Sequence, residues 1–576
     1  MLDVVIRGGT VVDGTGAPAR AADVGVVGGR IVSVGQVDER ATREIDADGL
    51  VVAPGFIDPH THYDAQILWD GAATPSCFHG VTTVIGGNCG FSVAPLGPGD
   101  VDYVRRLLAR VEGMPLAALE AGLAWDWRST GDYLDRVEGA TAVNAGFLVG
   151  HSALRRTVMG PDAVESAADA QQIEAMRELL AASLTAGGLG FSSSQNTAHT
   201  DGDGRPVPSR TADRHELLAL ASTVADHPGT TLEFITAGCL NELSEDELEL
   251  MADLSAAGRR PLNWNVLTLN PSRPDLAEHQ LGASDRARAR GGDVVALMMP
   301  GGGALRLSFL TYCALNLLPD WSSVLELPVP ERIAKLRDPA VRRWLVERAA
   351  TAQGPIGALG RVEHFRIGQT HAPVNAAHSG RLVGEIAREQ GRDAHDVLFD
   401  IVVADDLRTH LWPETAPDTA AIWEMRARFL RDSRTLLGGS DAGAHLDRMC
   451  GARYPTELLA EGVRRFGALT LEEAVRMLTD EPARLFGLRD RGRIVPGAYA
   501  DLVVFDAGTV APRPIHEVAD LPGGCERLTS EATGVEQVLV AGVGIVEGGV
   551  LTGARPGTVL RSGRDTDTVV PAPPRR

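Results

Sequence analysis

Two histidines stand two apart in "VVAPGFIDPHTHYD", residues 51–64, where His60 and His62 are flanked by Asp58 and Asp64. The stretch runs apolar for seven residues and then turns, so the pair sits just past a strand, and a side-chain period of two puts both imidazoles on one side. Neutral imidazoles are good zinc ligands, and a closely spaced pair fills two corners of a tetrahedron at little ordering cost. The competing reading is that they cap a turn or pair with Asp58 and Asp64. Two other stretches offer partners. Cys89 lies in the Gly-rich turn "GGNCG", where a metal would hold its thiol as thiolate, although a buried structural cysteine would look the same. Asp441 follows an apolar strand in "LLGGSDAGAH" and precedes Gly443. A carboxylate so placed can face the open end of the strands as a proton acceptor, or merely cap the next helix.

These residues need elements to carry them. From Leu2 to Gly35, "LDVVIRGGTVVDGTGAPARAADVGVVGGRIVSVG" alternates β-branched residues with Gly-rich turns, and "GAYADLVVFDAG" with "GVEQVLVAGVGIVEGG" reads the same way near the other end; this is antiparallel hairpin writing. Between them "GVTTVIGG", "AVNAGFLVG", "GGLGFSSS", "GTTLEFITAG", "RPLNWNVL", "GDVVALMMP" and "SRTLLGGSDAG" read as buried parallel strands. With "VVAPGFIDP" they make about eight, the number of a (β/α)8 TIM-like barrel. The crossover "DAQQIEAMRELLAASLTAGG" spaces Ile173, Met176, Leu179 and Leu180 on one stripe and predicts a helix stopping at Gly187. A long excursion over residues 301–377 breaks the rhythm, as a lid or substrate domain would.

Composition bounds the function. The chain has 576 residues, 44% of them hydrophobic, ample for a large core and more than one domain. A net charge of -21 opposes a nucleic-acid partner, which needs clustered Lys and Arg. "MLDVVIRGG" carries an acid where a signal peptide wants bases, and no apolar run is long enough to span a bilayer; neither secretion nor membrane insertion is expected. Cys77, Cys89, Cys239, Cys313, Cys450 and Cys525 are scattered without zinc-ribbon or disulfide spacing, as in a reducing cytoplasm.

The chain resembles the amidohydrolase superfamily over nearly its whole length, and within it the D-aminoacylase (N-acyl-D-amino-acid deacylase) branch. "GFIDPHTHYD" is similar to the family's first-strand metal motif, "GVTTVIGGNCGFSVAPL" to its second-strand segment with a metal-binding cysteine, and "LVGHSALRRTVMG" to its third. "GGSDAGAH" is similar to the eighth-strand segment with the catalytic aspartate, and "DRGRIVPGAYADLVVFD" to the return into a small β domain. The resemblance implies a (β/α)8 barrel with a β-sandwich built from both chain ends, divided here as 1–54, 55–480 and 481–576. It implies His60, His62, Cys89 and Asp441 as metal-site residues, with Asp441 as the catalytic proton shuttle.

The departures set further expectations. The family carries histidine ligands at the ends of the fifth and sixth strands, where this chain reads "TTLEFITAGCL" and "PLNWNVLTL". Glu233, Asn263 and Asn265 stand there instead; amides are poor zinc ligands, and Glu233 would serve equally as a paired core acid. One divalent metal, zinc, is therefore expected. The seventh strand ends "ALMMPGGG" instead of in the family's tyrosine-containing segment. His151 reads as a substrate or metal contact or a structural hydrogen bond, and His445 as a group orienting Asp441 or a surface residue. Gln195 and Arg210, in the polar loop "FSSSQNTAHTDGDGRPVPSRTA", are candidates for a polar substrate or simply solvated. Arg155, Arg361, Arg366 and Arg408 are candidates for a substrate carboxylate, while His364 and His371 fall in the excursion. The leading expectation is a metal-dependent hydrolase of small-molecule amide C–N bonds, with a homo-oligomer left open. Non-hydrolytic metal chemistry on the same scaffold and a degenerate ligand-binding barrel are the competitors.

Overall fold

Glycine-punctuated runs at the two ends of the chain pair with one another across most of its length. The structure, a computed structural model, describes residues 1–239, 241–301, 303–414 and 416–571. Leu2–Arg7 lies between Asp23–Val27, antiparallel, and Ala41–Asp46, parallel. In a second sheet Val51–Pro54 runs antiparallel to Leu502–Phe505, which pairs in turn with Val535–Val540. Val4, Ile6, Val24 and Ile45 from the first sheet share one apolar core with Val52, Leu502, Val504 and Leu539 from the second.

Between the ends run the short apolar strands that the sequence predicts. They are β1 (Phe56–Asp58), β2 (Val81–Gly86), β3 (Asn144–Phe147, continued as Val149–Gly150) and β4 (Gly190–Ser194). There follow β5 (Thr231–Ile235), β6 (Pro261–Trp264), β7 (Asp293–Met298) and β8 (Thr435–Leu437). Each pairs in parallel with the next. Beyond β1 and β8 an isolated parallel bridge joins Thr61 to Ala442, and the His62 N–H donates to the Ala442 carbonyl at 2.7 Å. Ile57, Ile85, Leu148, Leu189, Leu297 and Leu436, in or next to β1, β2, β3, β4, β7 and β8, meet in one buried cluster, the expected fate of strands covered on both faces.

Helices make the crossovers. Ala170–Thr185 starts from a capping box in which Asp169 accepts from the Gln172 N–H and Gln172 accepts from the Asp169 N–H, and it buries Ile173, Met176, Leu180 and Leu184. It ends two residues before Gly187, which sits just outside at φ +118; Leu179 lies at the edge of the stripe, half-buried. Among the described residues no helix is long and apolar enough to cross a membrane.

The chain divides into two compact units. One comprises Met1–Gly301, Thr419–His445 and Cys450–Arg576, and the other Gly302–Asp418 with Leu446–Met449. The second unit has its own core, in which the rings of Phe309, Trp321 and Phe399 lie 6.1 Å apart, centroid to centroid, in each pairing. Arg332 closes that core by donating to the Phe309 carbonyl at 2.5 Å. The fold is thus α/β, with parallel strands joined by helices and two mixed sheets, one from the N-terminal strands and one from both chain ends.

Leu297 is fully buried in β7 among side chains from the other parallel strands. Leu297→Ala is expected to destabilise the protein by about 2–5 kcal/mol, the range for deleting a buried leucine. Urea denaturation followed by fluorescence measures this, and an unchanged midpoint would contradict the shared cluster.

Candidate metal centre

The strand ends bring four side chains together from three distant parts of the sequence. One donor atom each from His60, His62 and Cys89 lies within 4.8 Å of the others, and all three side chains are buried. His60 Nε2 is 3.6 Å from Cys89 Sγ and 3.2 Å from Asp441 Oδ1, and that same oxygen is 3.7 Å from His62 Nε2. The histidines lie just past β1, the cysteine past β2 and the aspartate past β8. Cys89 at φ +55 and Asp441 at φ +51 occupy the left-handed region, a backbone cost that side chains bear where surrounding contacts impose it. Gly443, at φ +89, lets the turn after Asp441 press on His62, since a Cβ there would stand 2.7 Å from the His62 carbonyl carbon.

Two imidazoles, a thiol and a carboxylate form a donor set suited to a borderline-soft divalent cation. Burial holds the His62 ring down at about 3, so it is neutral, as a ligand must be. Burial pushes Asp441 up, but its His60 contact and the field of His60, His62 and His445 prevail and hold it below the ordinary carboxylate range. Burial pushes the Cys89 thiol well up, as do the charges of Glu233, Asp441 and Glu112, while Asn265 pulls the other way. A dication among these donors reverses that balance and favours the thiolate. The residues present therefore fit a metal.

Neighbouring groups brace the four. Asp58 and Asp64 bond to other groups than the imidazoles. Asp58 accepts the Ser440 hydroxyl at 2.6 Å, tying β1 to the segment after β8, and Asp64 accepts the Gly87 N–H at 3.0 Å. Glu233, in β5, accepts the Cys89 backbone N–H at 2.8 Å. Burial pushes its carboxyl well above the ordinary range against that hydrogen bond, and Asp441 adds to the push. Asn263 donates to the Leu232 carbonyl at 3.1 Å and so joins β6 to β5, whereas the Asn265 amide reaches His60 Nε2 at 3.5 Å and Cys89 Sγ at 3.6 Å.

The remaining sequence candidates scatter. His151 is fully buried, with Nδ1 2.8 Å from the Ser193 hydroxyl and Nε2 2.8 Å from Glu216. Both ring nitrogens are engaged, the structural hydrogen-bond option. Arg155 is buried on the same Glu216 carboxylate. Gln195 donates to the Ser209 carbonyl at 2.9 Å and Arg210 to the carbonyls of Thr197 and His199 at 3.1 and 3.0 Å, so both hold the loop after β4. His445 Nε2 stands 4.0 Å from Asp441 Oδ2 and is close to the centre. Arg361, Arg366, Arg408, His364 and His371 belong to the second unit, where Arg366 pairs with Glu414 and Arg408 donates to the Asp405 carbonyl.

Two residues at the centre escape the sequence reading. Glu112 follows the helix Val101–Val111, buried, with Oε1 3.4 Å from His62 Nδ1 while its carbonyl accepts the His445 N–H. Its one signal is an acid at a helix C-terminus, where the macrodipole disfavours a negative charge and another partner is called for. His199, in the loop after β4, is the other, and only its place on the catalytic side of the strands marked it. A carboxylate on the far nitrogen of a metal-ligating histidine fixes its tautomer and orientation. Glu112→Gln is therefore expected to weaken metal binding by roughly 10- to 100-fold, read by chelator competition. An unchanged affinity would show that Glu112 does not orient His62.

The match to known proteins spans the same architecture. Residues 43–546 match the amidohydrolase family. The chain is 30% identical to D-aminoacylase of Alcaligenes xylosoxydans xylosoxydans over 568 residues, 97% of each chain. It is 31% identical to N-acyl-D-glutamate deacylase of the same organism over 571 residues, 97% of this chain and 96% of the relative. The crystal structure of N-acyl-D-glutamate deacylase from Bordetella bronchiseptica, complexed with zinc and a phosphonate mimic of the tetrahedral intermediate, superposes with a TM-score of 0.64 at 27% identity. That superposition covers 97% of this chain and 100% of the other. With a family match that begins ahead of β1 and ends beyond β8, enclosing every residue of the centre, the chain belongs to the amidohydrolase family.

Proposed function

We propose that this chain is a metal-dependent hydrolase of amide C–N bonds in small molecules, with N-acyl-D-amino acids as its substrate class and one tightly held zinc ion per chain. The observation that carries the reading is the convergence of His60, His62 and Cys89 on Asp441 at the ends of parallel strands. Relatives named as deacylases, aligned along almost the whole chain, favour hydrolysis over isomerase or lyase chemistry and over a non-catalytic barrel. The zinc in the Bordetella structure and the donor set here agree in chemistry. Glu233 and Asn265 in place of two imidazoles argue for a single tight ion.

His60, His62, Cys89 and Asp441 would hold the metal, which when bound supplies Lewis acidity to an acyl oxygen and lowers the pKa of a water. Asp441 turns Oδ1 toward His60 and His62, which leaves Oδ2, on the His445 side, to take a proton. As the water oxygen bonds to the acyl carbon, Asp441 accepts the water's proton and then delivers it to the leaving nitrogen when the C–N bond breaks. The products are a carboxylic acid and an amine.

The same reading closes the strands into a (β/α)8 barrel, supported by unbroken parallel pairing from β1 to β8 and by the Thr61–Ala442 bridge. It takes the two mixed sheets as a β-sandwich of residues 1–54 and 481–576 beside a barrel over 55–480. A separately packed unit supports the insertion and extends it past 377, to Asp418.

Mass spectrometry of the purified protein should find close to one divalent metal per chain, lost in a His60→Ala, His62→Ala double variant that stays folded. Two tight equivalents, or full retention in that variant, would overturn the assignment. Asp441→Asn keeps the size and one oxygen but cannot accept a proton at neutral pH. It is expected to retain much of the metal and lose on the order of 10²-fold or more in turnover of N-acyl-D-amino acids; turnover near the wild-type rate would exclude Asp441 as the base.

A further inference from the structure

His199 is held more firmly than a loop residue needs to be. The segment after β4 folds back on itself at a bridge between Thr200 and Pro206, around Asp201, which is fully buried and accepts the N–H groups of Asp203 and Arg205 at 2.9 Å each. The His199 N–H donates to the Asn196 carbonyl at 3.1 Å, and the His199 carbonyl accepts from the Val207 N–H at 3.4 Å and from Arg210 at 3.0 Å. The ring packs on Phe91, two residues past Cys89, with centroids 5.1 Å apart. Backbone and ring are thus both fixed beside the cysteine turn.

The proton on that ring is fixed as well. His199 Nδ1 is 2.8 Å from the hydroxyl of Ser194, the last residue of β4, and Ser194 is fully buried. A serine hydroxyl has one proton to give and two lone pairs. One lone pair accepts the Asn196 N–H at 3.2 Å. A buried hydroxyl proton needs an acceptor, and among the described residues the acceptor within reach is His199 Nδ1. Ser194 therefore donates to Nδ1, and the ring carries its hydrogen on Nε2. Burial, with His445 nearby, pushes the ring down to about 3, so it stays neutral at working pH.

The ring lies beside the cysteine turn, packed on Phe91, two residues past Cys89, with Nδ1 on the last residue of β4. Phe91 and Ser194 are buried while His199 itself is half-buried.

We propose that His199 is a catalytic residue of this centre, its Nε2–H aimed by Ser194 to donate a hydrogen bond to the acyl oxygen as negative charge builds there. The proposal rests on the hydrolase reading above. A neutral donor suits the task, because a fixed dipole stabilises the developing oxyanion without reorganisation when the bond forms.

The test has two arms. Histidine-selective 15N NMR of the folded protein, with the His199 signal identified by its loss in His199→Phe, should show a neutral ring protonated at Nε2 from about pH 6 to 8, given its depressed pKa. Ser194→Ala should mix the tautomers. A ring protonated at Nδ1, or charged in that range, would overturn the assignment whatever the enzyme does. In the second arm, metal-loaded His199→Phe should lose roughly 10²- to 10³-fold in kcat on an N-acyl-D-amino acid, as when one oxyanion donor is removed. KM and metal content should change little, and His199→Gln, whose amide can donate, should recover part of the loss. Lost metal, or a raised KM at unchanged kcat, would make His199 a ligand or a binding group and sink the proposal. Wild-type protein that turns over no N-acyl-D-amino acid would instead sink the hydrolase reading, whereas a His199→Phe variant at the wild-type rate sinks the role of His199 alone.

Discussion

The contact on which the centre depends is the Asp441 carboxylate against His60 and His62. It joins the segment after the last parallel strand to the segment after the first, at 3.2 and 3.7 Å. Around it two further hydrogen bonds do the same work: the Ser440 hydroxyl donates to the Asp58 carboxylate, and the His62 N–H to the Ala442 carbonyl. A carboxylate half-withdrawn from water costs free energy unless opposite charge or donors surround it. The imidazoles, and a cation among them, meet that need, so the groups that would perform chemistry also help to join the two ends of the strand array.

Backbone strain is found at the same place. Cys89, Asp441 and His445 all take positive φ, a conformation that costs a non-glycine residue on the order of 1 kcal/mol or more. Each is held by contacts that a relaxed backbone would lose: the Cys89 N–H on Glu233, Asp441 against His60, and the His445 N–H on the Glu112 carbonyl. The contrast with His151 is instructive. It too follows a parallel strand, but its nitrogens are consumed by Ser193 and Glu216 in a fully buried network with Arg155. Position at a strand end is therefore insufficient; a reactive group also needs an unclaimed atom facing open space.

The fifth- and sixth-strand substitutions acquire a physical meaning from this geometry. Glu233 serves the cysteine turn through the Cys89 N–H, and Asn265 touches both His60 and Cys89 through its amide. Both side chains therefore brace the donor groups of the centre.

Local pattern determined a good deal of this protein. A period of two in an extended segment put His60 and His62 on one side, apolar runs bounded by glycine located the parallel strands, and a 3.6-residue stripe found the helix that begins after Asp169. Each of those signals is written within a dozen or so residues, because strand and helix periodicity are local properties. What the sequence left open lies in contacts between distant segments. Glu112 looks like any acid at a helix end until folding sets it against His62, some fifty positions away, and His199 looks like a solvated loop residue until Ser194, Phe91 and Arg210 fix it beside Cys89. The extent of the second unit, reaching Asp418 and gathering Leu446–Met449, was likewise a matter of packing. Tertiary structure decided these points because burial, the removal of water from a charge, and the choice of hydrogen-bond partner depend on which surfaces meet in space.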